Sequence, residues 1–154
     1  MIKIERILVP VDFSKFSQHA LRYGCEFAQE FNAELHLLHV LHDLVQVVPE
    51  TGTPLPPPDT FFEELRASAK ESLEKLPGDL WKGEKPVVRE LRVGSPFWEI
   101  IQYAKEKNID LIVLGTHGRG ALAHLLLGSV AEKVVRKAPC PVLTVRHPEH
   151  EFLE

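Results

Sequence analysis

Five short apolar runs alternate with four helical stripes, and this alternation constrains the fold more than any other feature of the 154 residues. Residues 4–11 carry Ile7, Leu8, Val9 and Val11, a near-continuous apolar run that suits a strand covered on both faces. Pro10 has no N–H to give a ladder and marks the carboxyl end of that strand. Residues 35–41, 109–114 and 142–145 read the same way. Residues 87–93 set Val87, Arg89, Leu91 and Val93 against Val88, Glu90 and Arg92, the pattern of an edge strand with one face partly wet. Between the runs, apolar residues recur at helical spacing. The four stripes are Phe16, Ala20, Tyr23, Phe27 and Phe31; Phe62, Leu65, Ala69, Leu73 and Leu76; Phe97, Ile100, Ile101 and Ala104; and Val130, Val134 and Ala138. Ser14 or Ser17 can cap the first helix, and Ser95 followed by Pro96 opens the third. Asn32, the pair Pro77 and Gly78, and Asn108 are stop signals. Trp81, in the polar connector after the second helix, is expected to pack against that helix. Strand–helix alternation of this kind predicts an α/β fold, a doubly wound parallel sheet with helices on both faces.

The fourth run leads into residues 115–130, GTHGRGALAHLLLGSV. Gly115, Gly118, Gly120 and Gly128 lie between the strand and the last helix. Glycine allows a ligand to approach backbone amides, and a helix N-terminus adds unpaired N–H groups and a positive dipole end. Ser129 and Glu132 have the spacing of a capping box. The combination suits a phosphate. Residues 115–120 have the glycine spacing of a Walker A loop, but Ala121 and Leu122 stand where Lys and Ser/Thr would follow. The G-x-G-x-x-G dinucleotide pattern is absent here and after the first strand, which reads Val9-Pro10-Val11-Asp12. On spacing alone, a glycine-rich turn that only joins strand to helix stays open.

Gly115-x2-Gly118-x9-Gly128-Ser129 resembles the nucleotide-binding signature of the universal stress protein family, in its ATP-binding branch. The resemblance runs over nearly the whole chain. It implies one domain over residues 1–147 with a polar tail over 148–154, and a five-stranded sheet of order 3-2-1-4-5. The strand order then reverses between strands one and four, where open α/β sheets hold ligands. Pro10, Val11 and Asp12 end the first of these strands, and Leu114, Gly115 and Thr116 the other. The family has an acidic residue at the position of Asp12, implying a contact to adenine or ribose; read on its own, Asp12 caps the first helix, and one residue can do both. Val40 matches the position whose backbone reads adenine in relatives, and Leu114 and Gly115 would floor the ribose. Gly118, Gly128, Ser129 and Val130 would give amides, and Ser129 a hydroxyl, to the phosphates. Arg119 could pair a phosphate bidentately, and His117 and His124 could hydrogen-bond one or stand exposed. Leu122, Leu125, Leu126 and Leu127 suggest a short helix packed on the domain or on a partner chain. The implied ligand is an adenine nucleotide, ATP or else ADP or AMP, with or without Mg²⁺. The implied role is a regulatory, stress-response module that binds nucleotide without fast turnover.

Two other functions stay in view. A slow ATPase or phosphotransferase would need positioned cations, and neither a Walker lysine nor a clear second acid for Mg²⁺ is present. A dimeric scaffold without nucleotide would not need the intact glycine pattern. No catalytic constellation stands out. His36, His39 and His42 invite a metal reading, but strand alternation puts His39 on the face opposite the other two. A homodimer is expected through Val142, Leu143, Thr144, Val145 and Arg146, because the order 3-2-1-4-5 leaves that strand on an edge. Residues 47–59, VVPETGTPLPPPD, read as a surface loop, a lid or a partner-binding tip.

Composition sets the outer bounds. An apolar fraction of 44% and a charged fraction of 26% are those of an ordinary globular domain. A net charge of −4 with no basic block argues against nucleic acid as a partner. No apolar run approaches the ~18 residues of a membrane span, and the first residues lack a signal-peptide layout. Cys25 and Cys140 are far apart without metal spacing and read as buried thiols in a reducing compartment, so a cytoplasmic location is expected.

Overall fold

The apolar runs assemble into one parallel sheet in the computed structural model, which describes residues 1–43, 46–47, 52, 54–55, 58–117 and 127–146. Its strands are β1 (Arg6–Pro10), β2 (Glu34–His42), β3 (Val88–Gly94), β4 (Leu111–Gly115) and β5 (Val142–Val145). They lie in the order 3-2-1-4-5, as the resemblance implied. β1 pairs with β2 from Arg6↔Glu34 to Pro10↔Leu38 and with β4 at Ile7↔Leu111 and Leu8↔Ile112. β2 continues past the end of β1 and stays paired with β3 as far as His42↔Gly94. β4 begins at Leu111, later than its apolar run, because Asp110 turns its carboxylate to the backbone amides of Glu5 and Arg6.

Successive residues of a strand face opposite ways, and the core divides accordingly. Ile7, Val9, Leu35, Leu37, Leu111 and Val113 pack with Ala20, Leu21 and Cys25 of α1 (Lys15–Glu30) and with Leu73 of α2 (Asp59–Glu74). Leu8, Leu38, Ile112 and Leu114 pack with Ile100, Tyr103 and Ala104 of α3 (Pro96–Glu106) and with Ala131 and Val134 of α4 (Ser129–Lys137). A sheet with two helices on each face is doubly wound. α1 lies close to the sheet because Gly24 has no side chain to meet Val9.

Local details depart from the sequence reading in several places. Ser14 caps α1, accepting from the Ser17 amide, whereas Ser95 precedes α3 without a side-chain cap bond. Phe31 falls just past α1, 39% exposed, and stacks on Phe27. Tyr103, absent from the expected α3 stripe, is fully buried there. Trp81 packs on the α1-side core, and the next amide, Lys82, donates to Gln29 of α1, so Trp81 serves that helix end as well. At the expected loop over residues 47–59, Gln46–Val47 pairs antiparallel with Pro54–Leu55, starting one residue before the loop, and Asp59 already belongs to α2. Cys25 is buried and Cys140 only half-buried, and both are free thiols. Among the described residues, no helix is long and apolar enough to cross a membrane.

Candidate functional site

At the carboxyl edge of the sheet β1 stops short of β2, and the chain leaves the ladder through a tight turn. The Val11 amide makes a last ladder bond to the Leu38 carbonyl at 2.9 Å. The Val11 carbonyl then accepts from Nδ1 of His39 at 2.6 Å, and His39 is only 8% exposed. Phe13, two residues on, has φ of 63°, and its ring lies 4.5 Å from the His39 ring. The left-handed region costs a residue with a Cβ roughly 1–2 kcal/mol, so this turn is held by its surroundings. Asp12 sits between. Its Oδ1 accepts from the Ser14 amide at 2.9 Å, and its own amide donates to Ser17 Oγ at 3.3 Å. Asp12 therefore braces the turn that leads into α1, while the helix cap itself is Ser14.

Across the switch point, β4 ends at Gly115. A Cβ there would lie 2.9 Å from the Phe16 carbonyl oxygen, so the missing side chain is what admits the first turn of α1. Thr116 is buried; its amide extends the ladder to Val145 and its hydroxyl meets Nδ1 of half-buried His117 at 3.0 Å. The Thr116 carbonyl accepts from the Gly128 amide at 2.6 Å, which ties the end of β4 to the start of α4. Gly118 and Arg119, with Gly120 and His124, lie outside the described residues, as does most of the expected leucine helix; Leu127 packs on the α4-side core.

The expected capping box is not formed. Gly128, not Ser129, is the N-cap of α4, and no side chain caps the helix. Ser129 is the first helical residue and is exposed, and Glu132 pairs with Arg136 at 2.9 Å. The reason is tertiary: the Thr116 bond places Gly128 where its carbonyl can take the Glu132 amide. The φ of Gly128 is −66°, open to any residue, so glycine is not demanded by conformation at this position.

The structure thus brings Pro10, Val11 and Asp12 to the same edge as Leu114, Gly115, Thr116 and His117, with Gly128, Ser129 and Val130 bonded to that edge through Thr116. Val40 stands on the neighbouring strand, beyond the last β1 pairing. α1 packs on one face of the sheet and α4 on the other, each starting at this carboxyl edge with the positive end of its dipole; at α1 the Ser17 amide is already taken by Ser14, whereas no side chain caps α4. His36 and His39 do face opposite sides: His36 shares a 2.8 Å hydrogen bond with the Tyr103 hydroxyl, and among the described residues no group of three metal-ligating side chains converges. Burial pushes the thiols up, Cys25 to about 12 and Cys140 to about 11, so neither offers a thiolate nucleophile. A cavity of about 380 Å³ lined by Ala33, Trp81 and Lys85 lies at the other, amino-terminal end of the sheet, away from this chemistry. Sequence reasoning weighed His39 only as a metal ligand and gave Phe13 no role beyond the opening of the first helix. The available signal was a histidine in the middle of an apolar strand, which must find a partner when buried.

The profile of the universal stress protein family matches residues 3–146. A universal stress protein of Methanocaldococcus jannaschii is 36% identical over 148 residues, spanning 96% of this chain and 85% of the relative. The universal stress protein YxiE of Bacillus subtilis is 36% identical over 145 residues, spanning 92% of this chain and 98% of the relative. The solved structure of UspA from Lactobacillus plantarum has a TM-score of 0.79 at 32% identity, covering 95% of this chain and 100% of that one. Two more distant universal stress protein structures, 24% and 23% identical, share the fold with TM-scores of 0.60; the first is in complex with cAMP and the second, from Archaeoglobus fulgidus, with dAMP.

Proposed function

Because the chain belongs to the universal stress protein family, we propose that it binds an adenine nucleotide, ATP or else ADP or AMP, as a regulatory module without fast turnover. The observation that carries the reading is the start of α4, bonded to the mouth of the β1–β4 crevice through the Gly128 amide and the Thr116 carbonyl. That bond also refines the site. The Gly128 amide is spent, so Gly128 contributes space, while Ser129 and Val130 contribute the first-turn N–H groups that a helix leaves unpaired. Gly118 and Arg119 would close on the phosphates from the loop. Asp12, half-exposed at the turn, would meet the ribose or adenine, and the Val40 backbone the adenine edge. Mg²⁺ would arrive with the phosphates rather than in a protein cage. The complexes with cAMP and dAMP are those of distant relatives and support the ligand class only by likeness of fold. The same reading includes a cytoplasmic homodimer through β5.

The test is calorimetry with ATP, ADP and AMP on the wild type and on Gly128→Val and Gly118→Val, with circular dichroism to show that each variant folds. Each substitution is expected to cost at least ~1.4 kcal/mol, a tenfold loss of affinity. Affinity should rise from AMP to ATP if the helix start grips phosphates. A folded Gly128→Val that binds ATP like the wild type would misplace the phosphate site. A wild type without nucleotide affinity would favour the scaffold.

A further inference from the structure

We propose that His39 is a positioning residue for the adenine edge of this site, acting through the Val11 carbonyl; the proposal rests on the nucleotide reading above. In a parallel ladder, a residue that donates to the carbonyl one place back on its neighbour accepts from the amide one place forward. Val11 donates to Leu38, so the next ladder bond would run from the Val40 amide to the Val11 carbonyl. That bond is replaced. The His39 ring takes the Val11 carbonyl at 2.6 Å, and because a carbonyl only accepts, Nδ1 carries the proton. β1 ends there, and the chain turns away through Asp12 and Phe13.

The replacement has two consequences. Backbone bonding directions in a central strand alternate, so Val40 turns its N–H and C=O the same way as Leu38, toward β1, but beyond the end of that strand. These are one donor and one acceptor side by side, the pair needed to read an adenine edge. The His39 ring also supports Phe13 at 4.5 Å in its left-handed conformation, which sets the direction in which Asp12 leaves the strand. Without the imidazole, the buried Val11 carbonyl would regain a partner by extending the ladder one residue onto Val40, because an unpaired buried carbonyl is costly. The adenine-reading groups would then be consumed, while the α4 start on the other side of the crevice would stay as it is.

The experiment titrates ATP and GTP calorimetrically into the wild type, His39→Leu and His39→Asn. The wild type should prefer ATP by at least about tenfold. His39→Leu should lose about tenfold in ATP affinity with GTP little changed, since phosphate contacts carry both ligands. His39→Asn, whose amide can donate to Val11, should recover the preference. A folded His39→Leu that keeps the preference, or that loses ATP and GTP equally, overturns the positioning role, as does a wild type that binds both nucleotides equally well. A wild type that binds neither fails the functional reading itself, and this proposal with it. Hydrogen exchange on the wild type needs no variant to fold: the Val40 amide should exchange faster than that of Leu38 and slow when ATP is added. A Val40 amide already protected like Leu38 without ligand would also overturn the proposal.

Discussion

Gly115 looks like part of a phosphate signature, yet its first use is internal. The Phe16 carbonyl oxygen occupies the space beside its Cα, and a Cβ would lie 2.9 Å from it, with the His117 carbonyl oxygen at 3.2 Å. Both neighbours are backbone and cannot rotate aside. Two effects of Gly115→Ala oppose each other. Reduced freedom of the unfolded chain would stabilise by about 0.4–1 kcal/mol, while forcing an atom into a filled site costs typically 1–3 kcal/mol. Net destabilisation is expected, and urea unfolding measures it; a variant as stable as the wild type would show that α1 can retreat freely. Asp12 carries the same lesson, since its carboxylate holds the Ser14 amide whatever else it does. His36 is a purely internal case: burial lowers its pKa despite the opposing pull of Glu34, and it serves Tyr103 rather than a ligand.

At the scale of elements, the helix starts separate two serines that look alike in sequence. Ser14 accepts from the Ser17 amide at 3.2 Å, with backbone in the extended region. Ser129 lies one residue inside α4 and caps nothing. Ser14→Ala is expected to cost about 1 kcal/mol, the usual value of a lost cap, whereas Ser129→Ala should change stability by less than about 0.5 kcal/mol, as surface substitutions do. Denaturant midpoints of the two variants decide it. Equal losses would restore Ser129 as a cap. The Ser-x-x-Glu spacing misleads because Gly128 is itself an acceptable N-cap, and the Thr116 carbonyl selects it.

For the whole molecule, the two sheet edges are treated differently. β3 carries Arg92 toward α3, where it meets Glu106 at 2.6 Å and the Tyr103 ring at 4.9 Å, and it also pairs with Glu90 of its own strand at 2.7 Å. A charge turned inward on an edge strand discourages pairing with other chains. β5 carries no such device; Val142 packs on one core and Leu143 on the other. Pro141 and Val145 give their carbonyls to β4, so the alternate residues Val142 and Thr144 turn their backbone groups outward. An antiparallel copy of β5 would satisfy them about a two-fold axis. Light scattering at micromolar concentration is expected to report a dimer. Thr144→Pro should yield a folded monomer, since it removes an outward N–H and leaves the inner ladder intact. A monomeric wild type, or a dimeric Thr144→Pro, would rule out this interface.

Sequence by itself determined the layers. Apolar runs such as Ile7 to Val9 and Ile112 to Val113 can be satisfied only between two covers, and the stripes between them supply those covers. It also determined that strand three is an edge, because Glu90 and Arg92 cannot both be buried without partners. The strand order came from the family resemblance and not from the pattern. Tertiary structure alone decided how the site is finished. Which residue caps α4, why Gly115 must lack a side chain, and where the carbonyl of Val11 goes all depend on bonds or close contacts with atoms distant in the chain: Thr116, Phe16 and His39. Periodicity reports which face of an element is apolar. It carries no signal for a single backbone group whose partner is chosen only when two elements meet.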